Sequence, residues 1–308
     1  MVERYHRKRK PAQLSKVPIS VNYHLTRECN YSCGFCFHTA TSSDVASLPD
    51  AKKAMSLLKD AGMKKINFAG GEPFIKPKFL GELVKYCKDE LKLESVSIVT
   101  NGSKVREAWL REYGKYLDIM AVSCDSFNEK TNIEIGRGTG NHLKTVIGVS
   151  QMCKQHDVML KINTVVNRFN FQEDMNAGIE QIDPFRWNCF QVLVVPEQNG
   201  SEETLRDARR FLIDDGEYRH FCDKHKHQKS FVREGNDVMA SSYLLLDEYL
   251  RFLNKGVREP TKSILEVGVA AALENVYWDE SGFKKRGGIY DWSKPSCSDN
   301  SAKQGLDW

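Results

Sequence analysis

Cys29, Cys33 and Cys36 stand at C-x3-C-x2-C spacing in the run Cys29-Asn30-Tyr31-Ser32-Cys33-Gly34-Phe35-Cys36, directly after an apolar segment. Three thiolates this close together suit a cubane [4Fe–4S] cluster that leaves one iron without a protein ligand, and the reactivity of such a cluster depends on what fills that open site. Structural zinc normally takes four ligands, and the nearest fourth donor, His38, follows Cys36 too soon for the common finger spacings. A disulfide is disfavoured too. The chain has nine cysteines, an odd number, and no secretory signal, which points to a reducing, cytoplasmic setting.

An iron with an open position can chelate the amino and carboxylate groups of S-adenosylmethionine. The cysteine spacing, with the aromatic Phe35 before the last cysteine, resembles the signature of the radical S-adenosylmethionine superfamily. Gly70-Gly71-Glu72-Pro73 lies about forty residues later, after a second apolar run. Consecutive glycines let a backbone approach a ligand closely. The superfamily resemblance assigns these four positions to the methionine end of the cofactor. Asn101, in Thr100-Asn101-Gly102, and Ser123, in Ser123-Cys124-Asp125, put small polar groups at two further strand ends. They read either as ordinary turn chemistry or as contacts to the cofactor's ribose or carboxylate.

Positioning these groups falls to an alternation of short β-rich runs and helical segments. Strands are expected at 19–25, 65–69, 95–99, 118–123, 158–165 and 187–194. Helices are expected between them at 50–61, 78–91, 105–113, 142–156 and 173–182. Six such units predict a parallel sheet with right-handed crossovers, an open partial (β/α)6 barrel of the α/β class. Chemistry in such folds gathers at the carboxyl ends of the strands, and the cysteine loop directly follows the first of them. Residues 1–16 read as a basic flexible arm, 17–194 as the barrel, and 195–308 as an extension covering its mouth. Within the extension, helices are expected at 202–213, 242–253 and 264–273.

Along the strands, polar residues alternate with large apolar ones. Lys65, Asn67 and Ala69 alternate with Ile66 and Phe68, Lys161 and Asn163 with Leu160 and Ile162, and Arg186 and Asn188 with Trp187. Successive side chains point to opposite sheet faces. With the apolar set against the outer helices, the polar set faces the lumen, where cations call for an anionic partner. A polyphosphate fits, since Arg offers bidentate contacts and Lys a point charge. Solvent-exposed strand starts are the other reading. No Walker-type glycine loop is present.

From about residue 17 onward the chain is similar to the viperin family of antiviral radical enzymes. The likeness rests on Val21-Asn22-Tyr23-His24, the cysteine run through Thr39, and Lys65 to Phe74. It extends through Ser123 to Phe127, Ile135-Gly136-Arg137-Gly138, Lys161-Ile162-Asn163, Asn167 to Asn170, and the terminal Leu306-Asp307-Trp308. The resemblance implies dehydration of a pyrimidine nucleoside triphosphate, CTP with UTP as the alternative, to its 3′-deoxy-3′,4′-didehydro analogue. A 5′-deoxyadenosyl radical would abstract the ribose 4′ hydrogen. It also implies triphosphate contacts at Asn22, Lys65, Lys161, Asn163 and Arg186, and Arg137 beside the cofactor and substrate. Tyr243 would lie over the ribose as a proton or hydrogen donor. Two positions depart from the pattern: Asn188 stands where the vertebrate members carry a lysine, and Ala69 where they carry a serine.

At 308 residues, 41% hydrophobic and a net charge of +4, the chain can bury a large α/β core and carries too mild a charge to imply direct nucleic-acid binding. No stretch approaches the length of a membrane span. The implied partners are the nucleotide, an electron donor and, through Trp308, the cytosolic iron–sulfur targeting machinery; a monomer is expected. The competing readings are a peptide-modifying radical enzyme and a non-catalytic antiviral scaffold. The first usually brings auxiliary clusters, for which the remaining cysteines form no close group.

Overall fold

The computed structural model describes residues 16–254 and 259–285. The anticipated basic arm lies outside the described residues except for Lys16, and the tail Leu306–Trp308 lies outside them entirely. The first half runs β1 (Ser20–His24), α1 (Leu48–Asp60), β2 (Lys65–Ala69), α2 (Pro77–Lys85), β3 (Ser95–Thr100), α3 (Glu107–Tyr113) and β4 (Ile119–Ser123). It continues with α4 (Glu129–Ile135), α5 (His142–Gln155), β5 (Met159–Val166), α6 (Asn176–Ile182) and β6 (Arg186–Gln191). Beyond these come α7 (Pro196–Asn199), α8 (Asp215–His225), β7 (Phe231–Glu234), α9 (Asn236–Ser242), β8 (Leu245–Leu246), α10 (Ile264–Glu274) and α11 (Glu280–Lys285).

The strands form one parallel sheet of eight in the order β7-β6-β5-β4-β3-β2-β1-β8, an open, curled half-barrel. The six expected βα units are its centre. The region read as an extension adds one short strand to each edge. Outer-face residues Val21, Tyr23, Ile66, Phe68, Val96, Ile98, Met120, Val122, Ile162 and Trp187 are fully buried under the helices. Each such side chain contributes roughly 1.5–3 kcal/mol relative to exposure. In α1 the buried residues Ala51, Ala54, Met55 and Leu58 recur at helical spacing and meet this layer. The Ser47 hydroxyl caps α1 by accepting from Asp50 N at 3.2 Å, which starts the helix at Leu48, before the expected Asp50.

Two expected helices are absent. Across 202–213 only Ala208–Phe211 forms a short 3-10 turn. There Thr204 Oγ1 donates to the carbonyls of Ser201 and Arg206 at 2.6 and 2.7 Å, and Asp207 caps the turn, so side chains take up the backbone groups a helix needs. Across 242–253, Asp247 Oδ1 accepts from the amides of Tyr249 and Arg251 at 3.0 and 2.8 Å, and Leu250 adopts a φ of 61°. That tight turn replaces the helix with β8 and a loop. The third, expected at 264–273, is present as α10, broken internally at Gly268, whose φ is 78°.

Candidate active site

The cysteine loop leaves the carboxyl end of β1 and is braced from two sides. Ser32 N and Gly34 N donate to the carbonyls of Gly136 and Ile135 at 3.1 and 2.9 Å. Gly136 has a φ of 87°, and a Cβ there would lie 2.4 Å from Ser32 O, so the approach needs glycine. On the other side, the amides of Gly71 and Glu72 donate to Thr26 O and Glu28 O, both at 2.7 Å. A Cβ on Gly71 would meet Glu28 O at 2.1 Å. These two N–H groups are therefore committed to the loop. A methionine amino group, itself a donor, would have to be met by carbonyl oxygens instead.

Glu72 is fully buried, and its carboxylate closes the turn internally. Oε1 accepts from Phe74 N at 3.0 Å and Thr100 Oγ1 at 2.7 Å, and Oε2 accepts from Asn101 N at 2.8 Å. Burial raises its pKa, and these three donors work in the opposite direction. Pro73 opens a 3-10 turn directly after it. Asn101 donates from Nδ2 to Asn30 Oδ1 at 3.1 Å, beside Cys29, and accepts from Ser103. Its side chain thus pins the cysteine loop to β3. The Ser123 carbonyl accepts from His142 Nε2 at 2.8 Å.

Among the cysteines, Cys33 is buried, Cys36 half-buried and Cys29 exposed. Burial pushes the Cys33 thiol up to about 12, with Arg137 opposing and the other two cysteines adding to the rise. Cys29 and Cys36 are raised for the same first cause. Thiols held protonated in this way lose their protons to solvent when a metal binds, because a coordinating thiol is deprotonated outright. Among the described residues no three His, Cys, Asp or Glu side chains form a single metal-ion site. Structural zinc takes four protein ligands, whereas a cubane spreads its thiolate ligands over separate irons and is held here by three. The donor set fits an iron–sulfur cluster.

Arg137 is a cation beside the cysteine loop. Its guanidinium is paired with buried Asp125 (Nη2 to Oδ2, 2.6 Å) and lies 5.9 Å over the Phe35 ring. Burial works against its charge, but Asp125 and the Cys33 sulfur outweigh it and raise its pKa.

On the concave face the register aligns the polar residues in rows. Asn22 pairs with Asn67 and Asn67 with Ser97, Lys161 pairs with Arg186, and Ser123 pairs with Asn163 and Asn163 with Asn188. Lys65 is buried at the start of β2. Asn67 Nδ2 donates to Asn22 Oδ1 at 2.8 Å. Asn163 Oδ1 is buried without a hydrogen-bond partner. Arg186 Nε donates to Asn188 Oδ1 at 2.9 Å, Asn188 Nδ2 donates to Glu234 Oε1, and the Tyr243 hydroxyl donates to Glu234 Oε2 at 2.6 Å.

Several of the contacts around the site carry no sequence signal. Glu234 sits in a four-residue strand with no long apolar run to announce it. His24 and His38 form a buried pair with ring centroids 4.3 Å apart beside the cysteine loop. The buried ion pair of Arg27 with Glu248, at 2.9 Å, joins that loop to the chain's second half. The two histidines are 14 residues apart and the ion-pair partners 221, beyond the reach of a local pattern.

An open parallel half-barrel with a three-cysteine loop at the carboxyl end of its first strand defines the radical S-adenosylmethionine class of protein. The family described as "Radical SAM superfamily" matches residues 23–177. The chain is 51% identical to the "S-adenosylmethionine-dependent nucleotide dehydratase RSAD2" of Oncorhynchus mykiss, covering 92% of this chain and 83% of that one. It is 37% identical to the "S-adenosylmethionine-dependent nucleotide dehydratase" of Flammeovirga pacifica, covering 89% and 96%. The chain belongs to this family of radical S-adenosylmethionine nucleotide dehydratases, the viperin family that its motifs resemble. Among solved structures, Streptococcus suis SuiB bound to S-adenosylmethionine superposes with a TM-score of 0.67 at 15% identity, covering 87% of this chain and 68% of that one. At that identity the likeness establishes the fold alone.

Proposed function

We propose that this chain is a radical S-adenosylmethionine dehydratase acting on a pyrimidine nucleoside triphosphate, CTP or UTP, to give the 3′-deoxy-3′,4′-didehydro nucleotide. The observation that carries this reading is the pairing of Lys161 with Arg186, and of Asn163 with Asn188, on the concave face of a sheet whose first strand delivers the cysteine loop. When bound, the cluster held by Cys29, Cys33 and Cys36, together with S-adenosylmethionine, supplies the 5′-deoxyadenosyl radical that takes the ribose 4′ hydrogen.

The chain's own residues then bind, orient and exclude water. Lys65 and Lys161 offer ammonium groups to the phosphates and Arg186 a planar guanidinium, with Asn22 and Asn163 adding amide contacts. Gly70, Gly71 and Pro73 shape the backbone against the methionine end, while Glu72 keeps that turn closed through its three internal bonds. Phe35 and Arg137 wall the cysteine loop from water, and Asn101 and Ser123 line the adjoining strand ends. The leaving 3′ hydroxyl departs as water with a proton, for which the Tyr243 hydroxyl is the candidate donor, and a second electron from the external donor leaves the 3′,4′ alkene. A product without a 3′ hydroxyl cannot be extended by a polymerase, which gives the chemistry an antiviral use.

An external electron donor is required. Cluster delivery through the terminal Trp308, a cytoplasmic location and a monomeric state complete the proposal. Within the described residues no helix is long and apolar enough to cross a membrane. The test is anaerobic reconstitution with dithionite, S-adenosylmethionine and each nucleoside triphosphate in turn. Formation of 5′-deoxyadenosine stimulated by CTP or UTP, with a product lighter by one water, is expected. Cofactor cleavage indifferent to every nucleotide would overturn the substrate assignment.

A further inference from the structure

The eight strands contain one acidic residue among the described positions, Glu234, and it is buried. Its carboxylate lies on the concave face, since Asn188 and Tyr243 both donate to it there. Lys65 opens β2, Arg186 opens β6, and Lys161 pairs with Arg186. Glu234 closes β7 and pairs with Phe190, four residues beyond Arg186. At about 3.3 Å per residue the carboxylate's backbone sits roughly 13 Å further toward the carboxyl rim than that of Arg186. The concave face is thus electrically polarised: cations toward the amino ends of the strands, an anion at the rim beside Tyr243.

We propose that Glu234 is a positioning residue that fixes which way round the nucleotide enters. A triphosphate is repelled from the rim and drawn toward Lys65, Lys161 and Arg186. The ribose is left at the carboxyl ends, the side from which the cysteine loop emerges. Glu234 does this through a second contact as well. By accepting the Tyr243 proton it turns the hydroxyl's lone pairs outward, so Tyr243 accepts from a ribose hydroxyl until that proton is redirected. By accepting from Asn188 Nδ2 it also turns Asn188 Oδ1 toward Arg186, which orients the guanidinium. This inference rests on the nucleotide assignment above and adds to it the residue that sets orientation.

The test uses the anaerobically reconstituted enzyme with two readouts: CTP affinity by titration calorimetry without reductant, and the ratio of dehydrated product to 5′-deoxyadenosine. Removing the negative charge in Glu234→Gln should tighten CTP binding by about fivefold, on the Coulombic scale for nearby charges, while the product ratio falls severalfold. Tighter binding with poorer coupling is a signature that mere loss of structure does not give. Tyr243→Phe should lose the same ratio without the tighter binding, because the Glu234 charge is kept. Should the glutamine variant fail to fold, Glu234→Asp decides: the charge is kept, so affinity stays, but the shorter side chain loses Tyr243 and the ratio falls. Unchanged or weaker CTP binding by folded Glu234→Gln, or a wild-type ratio in Glu234→Asp, overturns the proposal. A wild-type enzyme that binds neither CTP nor UTP removes the nucleotide assignment itself, a result distinguishable from both.

Discussion

Arg137 Nη2 lies 2.6 Å from Asp125 Oδ2, with the two side chains 10% and 0% exposed. This pair ties the loop that braces the cysteines to the carboxyl end of β4. A buried pair broken on one side leaves an uncompensated charge, whereas replacing both partners is often close to neutral. Asp125→Asn should therefore lower the unfolding free energy by about 3–5 kcal/mol. The double variant Asp125→Leu with Arg137→Met should recover most of that in urea titrations. It should not recover cofactor cleavage, because the cation beside the cluster loop is gone. Recovery of both would mean that the pair is only structural.

Two histidines give a pH dependence with a definite sign. Burial pushes His24 and His142 down from 6.5 to about 3, with Arg27 and Arg137 respectively adding to the effect. Between those values the unfolded chain binds protons that the folded chain refuses. Stability is therefore full above about pH 6.5 and falls as pH drops toward 3, by up to roughly 1.4 kcal/mol per histidine per pH unit. Urea midpoints measured at pH 7.5 and 5.5 should show the loss, and His142→Gln should reduce it by that residue's share while His24, His38 and His225 keep the rest. A wild-type protein equally stable at both pH values would contradict these assignments.

Glycine substitutions should separate the cysteine-loop brace from ordinary helix chemistry. Gly136→Ala places a Cβ 2.4 Å from Ser32 O at a φ of 87°, so the brace must shift. A stability loss of about 1–3 kcal/mol is expected, together with a lower iron content per chain after reconstitution. Gly148, inside α5, has nothing within 4 Å of an added Cβ. There alanine should stabilise by about 0.5–1 kcal/mol and leave iron content unchanged. Equal iron content in the two variants would argue against the brace.

Much of this site was legible along the chain because its parts are local. The cysteine run, the double glycine and the apolar strands of the central six units announce themselves by spacing. Strand alternation also put Lys65, Lys161 and Arg186 on one face, and the register from β2 through β6 keeps them in phase. What could not be read depends on partners far away. β8 is two residues long and exists because β1 offers an edge to Leu245 and Leu246. The segments 202–213 and 242–253 have helical composition, but Thr204 and Asp247 bind the backbone first. The start of α8 did carry a signal, a reciprocal capping box between Asp214 and Glu217. Glu72 shows the limit of motif reading, since its carboxylate shapes the turn from within.

Phosphate contacts should be blind to the base. Lys161→Gln should weaken CTP and UTP binding by similar factors, about 10- to 100-fold for a lost charge-assisted contact of roughly 1.5–3 kcal/mol. Slow cofactor cleavage without nucleotide should persist. Selective loss for one base would place Lys161 near the pyrimidine instead of the phosphates.

The central claim is that a radical generated at the cysteine loop removes the 4′ hydrogen of a bound pyrimidine nucleoside triphosphate. The most direct measurement supplies CTP carrying deuterium at the 4′ position to the reconstituted, reduced enzyme and weighs the 5′-deoxyadenosine formed. One deuterium per 5′-deoxyadenosine, accompanied by the dehydrated nucleotide, is the result this account predicts. Unlabelled 5′-deoxyadenosine with the 4′ deuterium still in the nucleotide would contradict it.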